Sequence, residues 1–85
     1  MKITVLYFAS LREALGMARE ELELPTEVAT LVALRAHLQA RGGAFATALA
    51  PNRAVRAAVN QDMVRGDCAI KAGDEIAFFP PVTGG

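Results

Sequence analysis

The fold is indicated best by Glu75-Ile76-Ala77-Phe78-Phe79-Pro80-Pro81, an apolar run that ends in two prolines. Successive side chains of a strand point to opposite faces, so Ile76 and Phe78 share one face, while Ala77 and Phe79 share the other. A strand that is apolar on both faces is usually covered on both. Proline lacks a backbone N–H and fixes φ, so this strand must end at Phe79.

The first strand, predicted over residues 3–8, has the same two-sided character because it is rich in β-branched and aromatic residues. One face carries Ile3, Val5 and Tyr7, and the other carries Leu6 and Phe8. Helices in a chain of this length can cover only one face of the sheet. The other face is therefore predicted to keep apolar side chains exposed to a partner.

A short helix is predicted over residues 11–15. Ser10 and Glu13 have the spacing of a capping box, in which two side chains satisfy backbone N–H groups at the helix start. Gly16 suits the left-handed residue with which many helices end.

A second helix is predicted after Thr30, whose side chain is suited to cap it. Its core face is indicated by leucines at helical spacing, namely Leu31, Leu34 and Leu38. The solvent face is predicted to carry Arg35, His37, Gln39 and Arg41, and Gly42-Gly43 is predicted to end the helix.

The remaining elements are mostly strands. Residues 19–24 alternate acidic and apolar side chains, which predicts a half-exposed strand whose glutamates, Glu20, Glu21 and Glu23, are solvated. Residues 44–50 favour a weak helix, whereas residues 55–59 and 63–64 favour strands around a turn at 60–62. The order β-α-β-α-β-β-β predicts an α+β fold, a mixed sheet with a main helix packed on one face.

The composition excludes several classes of function. The chain has 85 residues, is 53% hydrophobic and carries nine basic and nine acidic side chains. One globular domain without net charge is expected, with no general attraction to nucleic acid or anionic lipid, since both need a basic excess. No apolar run approaches the roughly 20 residues of a membrane span. We expect a cytoplasmic protein with neither nucleic acid nor membrane as a partner.

Side chains that could perform catalysis are scarce. His37 is the only histidine and is predicted to face solvent. Cys68 is the only cysteine, which excludes an internal disulfide and favours a small packed side chain. No Cys/His pair has metal-ligand spacing, so no metal site is expected. The chain on its own is expected neither to be an enzyme nor to bind a cofactor.

Residues 80–85 are predicted to form an extended tail after a domain that spans residues 1–79. The prolines favour an extended chain, and the Gly84-Gly85 end has no side chains. Such a tail can enter a channel too narrow for other residues and place its carboxylate inside another protein. On the tail alone, a frayed terminus is the favoured interpretation.

Three stretches of the chain match one family. They are the ending Gly73-Asp74-Glu75-Ile76-Ala77-Phe78-Phe79-Pro80-Pro81-Val82-Thr83-Gly84-Gly85, the opening Val5-Leu6-Tyr7-Phe8-Ala9 with Leu11-Arg12-Glu13-Ala14-Leu15-Gly16, and the middle Ala57-Ala58-Val59-Asn60-Gln61. They resemble the MoaD-type sulfur carriers, the small subunits of molybdopterin synthase. The resemblance covers the chain, although residues 44–56 match no motif. It implies the ubiquitin-like β-grasp fold with a mixed sheet of about five strands.

The resemblance implies that Gly85 is the working residue. An E1-like adenylating enzyme would use ATP to activate its carboxylate, and a sulfurtransferase donor would convert the adenylate to a thiocarboxylate. The tail would then enter the large subunit and deliver sulfur to cyclic pyranopterin monophosphate (precursor Z), with Gly84 clearing its path. Catalytic groups are expected in the large subunit, and the family's usual assembly is a heterotetramer.

A partner surface is predicted beside the tail. Its members are Phe8, Met63 and Phe79, with Pro80 and Pro81 at the edge, Val82 and Thr83 along the tail, and Arg12 as a polar contact. A large exposed apolar patch normally marks an interface. By the family pattern this one would bind the large subunit and the adenylating enzyme in turn. For Met63, a place in the domain's own core is an equal alternative.

Other functions stay open on the sequence. A carrier for thiamine thiazole synthesis shares the fold, the Gly-Gly end and the adenylation step, but such chains are typically shorter and lack the Phe-Phe-Pro-Pro-Val-Thr ending. A carrier for tRNA thiolation or cysteine synthesis belongs to the same class. A ubiquitin-like modifier would instead be joined through Gly85 to lysines of targets, and a structural adaptor would undergo neither change.

Overall fold

The structure, a computed structural model, describes residues 1–81 of the chain. Their elements are β1 (Lys2–Tyr7), α1 (Ala9–Leu15), β2 (Arg19–Glu23), α2 (Leu31–Gln39), α3 (Gly43–Ala48), β3 (Arg56–Val59), β4 (Asp62–Val64) and β5 (Glu75–Phe79). The predicted order of strands and helices is confirmed, and the weak helix expected over residues 44–50 is α3.

The strands form one mixed sheet in the order β2-β1-β5-β3-β4. β1 runs parallel to β5, whereas the other three pairings are antiparallel. The two strands that are apolar on both faces, β1 and β5, therefore lie side by side, and neither is an edge of the sheet. The predicted α+β architecture with a mixed sheet of five strands is confirmed.

The helices cover one face of this sheet. On the two central strands, β1 and β5, the inward side chains are at most 1% exposed, and they are Ile3, Val5, Tyr7, Ile76 and Phe78. Leu34 and Leu38 of α2 are fully buried in the same cluster, so the leucine spacing is confirmed as core. Each fully buried leucine stabilises the fold by about 1.5–3 kcal/mol relative to an exposed one. The packed face thus supplies the stability, and the opposite face is left for other contacts.

The predicted capping box at the start of α1 is wrong. Ser10 lies inside the helix, and the residue at the cap position is Phe8, which makes no side-chain cap hydrogen bond. The Phe8 N–H donates to the Phe78 carbonyl at 3.1 Å, while the Phe8 carbonyl accepts from the N–H groups of Leu11 and Arg12. The backbone therefore passes directly from sheet to helix at Phe8. The predicted end is confirmed, since Gly16 adopts a left-handed conformation with φ of 72°.

The second helix is capped as predicted, because Thr30 Oγ1 accepts from the Ala33 N–H at 3.1 Å. Its predicted solvent face needs correction, since Arg35, His37 and Gln39 are half-buried and only Arg41 of the four is exposed. The predicted stop is also wrong. α2 ends at Gln39, and Gly42 instead precedes α3, with a φ of 80° that favours glycine.

Candidate functional site

The face of the sheet opposite the helices carries an apolar row. Strand register places its members side by side across β1, β5, β3 and β4, in the order Leu6, Ala77, Ala58 and Met63. Leu6 and Ala77 are half-buried and Ala58 is 8% exposed, but none of the four side chains belongs to the buried core cluster or packs against it. Met63 is 61% exposed, so the alternative that placed Met63 in the domain's own core is wrong.

Two phenylalanines extend the row toward the end of β5. Phe8 and Phe79 follow Tyr7 and Phe78, which are paired residues in the last step of the β1–β5 ladder. Phe8 is 45% exposed and Phe79 is half-buried, and neither packs against the core cluster. We call the surface made of Leu6, Phe8, Ala58, Met63, Ala77 and Phe79 the open-face patch. The predicted members Phe8, Met63 and Phe79 are thus brought together on one face.

The open-face patch has basic residues at its border. Arg19 is the register partner of Leu6, and Arg56 is the register partner of Phe79. Both arginines are exposed. Arg12 is exposed on α1. Its backbone N–H donates to the carbonyl of Phe8, a member of the patch, at 3.3 Å. The role of Arg12 as a polar partner contact stays a prediction.

Pro80 and Pro81 follow β5 directly and are both half-buried. Pro80 lines a depression of about 240 Å³, together with Ser10, Leu11 and Ala14 of α1. Pro81 borders a larger one of about 590 Å³ on the side of α2. The predicted tail residues Val82, Thr83, Gly84 and Gly85 lie outside the described residues, and the division at residue 79 stays a prediction.

Within residues 1–81, no group of three or more His, Cys, Asp and Glu side chains is placed to hold a metal ion. Cys68 has a free thiol and packs against the core, as predicted. Its carbonyl accepts from the Leu31 N–H at 2.9 Å, which ties the Cys68 loop to the start of α2. None of the helices described there combines the length and hydropathy of a membrane span.

A polar cluster that the sequence did not predict closes one end of the core. The Tyr7 hydroxyl donates to Glu20 Oε2 at 2.7 Å, and Arg41 Nη1 donates to the same oxygen at 2.9 Å. The Arg41 guanidinium also lies 4.7 Å from the centre of the Phe45 ring. Burial, together with the nearby Glu20 carboxylate, raises the pKa of Tyr7. Glu20 is therefore a structural partner of Tyr7, which corrects its prediction as a solvated residue.

Asp74 holds the turn between β3 and β4 against the start of β5. It is 6% exposed, its Oδ1 accepts from Asn60 Nδ2 at 3.0 Å, and its Oδ2 accepts from the Lys71 N–H at 2.9 Å. Asn60 Oδ1 in turn accepts from the Glu75 N–H at 3.0 Å. The Asn60 hydrogen bond lowers the pKa of Asp74. This network fixes the hairpin that presents Met63.

Replacing Asp74 with alanine should therefore destabilise the fold in a pH-dependent way. A carboxylate with a lowered folded-state pKa contributes stability above its ordinary pKa of 3.8, and this contribution is lost as pH falls through the folded pKa. We expect Asp74→Ala to lower the free energy of unfolding by about 1–3 kcal/mol at neutral pH, because two partly buried donors, Asn60 Nδ2 and the Lys71 N–H, lose a charged acceptor. Urea unfolding at several pH values should show the difference from wild type shrinking in acid. A constant difference would contradict this assignment.

Three members of the open-face patch were not singled out by the sequence. Which strands are neighbours, and therefore which of Leu6, Ala58 and Ala77 lie side by side, follows only from the register. The alternation of apolar residues placed Leu6 and Ala77 on the outer face. No local signal distinguished the outward Ala58 from the core residue Ala57, because both are small and apolar.

Comparison with known proteins supplies the family. The ThiS family model matches residues 5–85. The chain is 45% identical over 83 residues to the molybdopterin synthase sulfur carrier subunit of Escherichia coli K12, which covers 98% of this chain and 99% of that protein. A Pyrococcus furiosus structure described as molybdopterin converting factor subunit 1 has a TM-score of 0.77 at 32% identity, and covers 96% of this chain and 99% of that one.

The same fold occurs in a complex. A chain of the Helicobacter pylori protein–protein complex of subunits 1 and 2 of molybdopterin-converting factor covers 100% of both chains, with a TM-score of 0.70 and 24% identity. At that identity the likeness shows the fold alone. The family rests on the model that spans residues 5–85 and on the relative that is 45% identical over almost the whole length. The chain therefore belongs to the ThiS family, among the molybdopterin synthase sulfur carrier subunits.

Proposed function

We propose that this chain carries sulfur on the carboxyl group of Gly85 for the synthesis of molybdopterin. The observation that carries the proposal is the Gly84-Gly85 ending, which comes just after a central strand stopped by two prolines, in a member of this family. The folded body serves to bind partners, and the reacting atom lies at the end of the tail.

The chemistry starts from a poor acyl donor. A carboxylate repels nucleophiles and has no good leaving group, so an E1-like partner first transfers AMP from ATP to Gly85 and releases pyrophosphate. The terminal sulfur of a persulfide on the sulfurtransferase donor then forms a C–S bond at the Gly85 carbonyl carbon as the C–O bond to AMP breaks and AMP leaves. A thiol reduces the resulting acyl disulfide, so that the S–S bond to the donor breaks and the sulfur stays on Gly85. The resulting thiocarboxylate is ionised at neutral pH, which makes its sulfur nucleophilic. ATP is consumed by the activating partner and is not bound by this chain.

The large subunit is the proposed site of sulfur transfer to cyclic pyranopterin monophosphate (precursor Z), with its own catalytic groups. The occurrence of this fold in a complex described as subunits 1 and 2 supports a large-subunit partner. The open-face patch would bind that subunit and the activating enzyme in turn, because both must receive the same tail. A heterotetramer in the cytoplasm is the assembly that fits the family.

Intact mass measurement tests the proposal directly. The protein is incubated with ATP, its cognate activating enzyme and a sulfide source. We expect a gain equal to the difference between one sulfur and one oxygen atom, and no gain when ATP is omitted. Attachment to lysines of other proteins would instead identify a modifier, and an unchanged mass with an active partner enzyme would contradict the proposal.

A carrier for thiamine thiazole synthesis is the second candidate, because the matching family model is that of the ThiS family. Both carriers would form the same thiocarboxylate, so the mass alone does not separate them. The near full-length relative at 45% identity favours the molybdopterin pathway. Thiocarboxylated protein should convert precursor Z to molybdopterin when the large subunit is added, and should support thiazole formation poorly.

A further inference from the structure

The segment beside Pro80 and Pro81 determines how the chain leaves the sheet. The last pair of the β3–β5 ladder is Arg56 with Phe79. Pro80 and Pro81 follow this pair, and we call these two residues the tail root. Neither proline has an N–H to donate, so the tail root cannot continue the ladder through hydrogen-bond donors of its own. Continuing the antiparallel register places residues 54 and 55 alongside the two prolines. Packing against residues 54 and 55 is therefore the contact that can replace the lost donors at Pro80 and Pro81, which line depressions together with them.

Ala54 and Val55 form a ridge between two depressions. Both residues line the smaller depression that Pro80 borders and the larger one that Pro81 borders. They precede β3 and belong to no helix or strand. Val55 also packs against the core cluster, whereas Ala54 is exposed, so the chain that leads into the ridge needs a further support if the ridge is to hold the prolines in one place.

Arg35 of α2 supplies that support through the carbonyl groups of the connection between α3 and β3. Its Nε donates to the Leu49 carbonyl at 2.9 Å, and its Nη2 donates to the carbonyls of Ala50 and Arg53 at 2.7 and 3.0 Å. Charge-assisted hydrogen bonds from a planar guanidinium hold several acceptors at once, which an ammonium group cannot do with the same geometry. Arg35 is half-buried and lines the larger depression itself.

We propose that Arg35 is a positioning residue for the sulfur-transfer reaction. By clamping residues 49–53 it fixes the Ala54–Val55 ridge, and the ridge fixes the position and direction in which the chain leaves the sheet at Pro80 and Pro81. If Pro80 and Pro81 already point in one direction, the tail loses less conformational entropy when a partner binds it. The carboxylate of Gly85 is then presented to the partner's channel at a lower cost in binding free energy. This inference rests on the proposed function.

Kinetics of adenylation test the role of Arg35. Arg35→Gln removes most of these hydrogen bonds, and Arg35→Lys keeps the charge without the planar donors. Arg41→Gln removes another arginine, one that binds Glu20 and not the connection between α3 and β3. Below the unfolding temperature of every variant, we expect both Arg35 variants to raise the KM of the carrier about tenfold with kcat within about twofold. Arg41→Gln should leave KM at the wild-type value even where it lowers stability.

Equal KM values for the Arg35→Gln and Arg41→Gln variants would overturn the proposal. A second measurement does not depend on any reaction, namely nuclear Overhauser effects between the Val55 methyl groups and the Pro80 ring. We expect them in the wild type and in Arg41→Gln, and their loss in Arg35→Gln. If they persist in Arg35→Gln, the clamp does not position the tail root. If the wild type is never adenylated, the proposed function fails, while these spectra still test the clamp.

Discussion

Adding one alanine after Gly85 should abolish sulfur loading and leave the folded domain unchanged. The extra residue moves the carboxylate by about 3.3–3.6 Å. It also puts a methyl group at the end of a tail whose last two residues, Gly84 and Gly85, carry no side chain. Adenylation needs the carboxylate oxygen within bonding distance of the α-phosphate, and misplacement by even about 1 Å can cost a factor of 100 in rate. We therefore expect the rate of sulfur loading to fall by at least about 100-fold.

The mass of the protein after incubation with ATP, activating enzyme and sulfide gives the readout. The temperature of thermal unfolding should be the same for the extended chain and the wild type. Among the residues that the structure describes, the buried core runs from Ile3 to Phe78, well before the added alanine. Thr26→Ser is a control that makes a conservative change at an exposed turn residue outside the predicted partner surface, and it should load sulfur normally. Sulfur loading of the extended chain at the wild-type rate would contradict the terminal-carboxylate mechanism.

Much of the fold was predictable because its strongest signals are local. The leucines of α2 recur at helical spacing, β5 ends where two prolines remove donors, and Gly16 ends α1 in a left-handed conformation. These features depend on neighbouring residues only. The open-face patch was partly predictable for the same reason, since alternation in β1 and β5 showed apolar side chains on both faces.

The errors involve residues whose environment is set by distant parts of the chain. Ser10 lost its cap position because the Phe8 N–H pairs with Phe78, far along the sequence. Glu20 was predicted to be solvated, yet it binds Tyr7 and Arg41. Arg35 was assigned to the solvent face because helical periodicity does not show that a loop folds back over it. The role of Gly85 came from the family resemblance, since no local pattern distinguishes a working tail from a frayed one.

Replacing Phe79 with aspartate should separate partner binding from folding. Phe79 lies on the open-face patch and does not pack against the core, whereas its neighbour Phe78 is 1% exposed within it. A charge placed in an apolar interface is desolvated in the complex, and pairing with the neighbouring Arg56 offsets only part of that cost. We expect Phe79→Asp to weaken binding to the large subunit about 100-fold, the effect typical of a strong interface residue, while the free energy of unfolding changes by less than about 1 kcal/mol.

Two controls give this experiment its contrast. Phe78→Asp should unfold the domain, because it buries a charge in the core. Val32→Asp puts the same charge on another exposed apolar residue, in the first turn of α2 and outside the open-face patch. The Asp67 carboxylate accepts from the Val32 N–H, so the stability of this variant is measured alongside its affinity. Calorimetric titration of the large subunit should therefore show wild-type affinity for Val32→Asp. A stability loss for Phe79→Asp as large as that for Phe78→Asp would place Phe79 in the core, and an unchanged affinity would remove it from the interface.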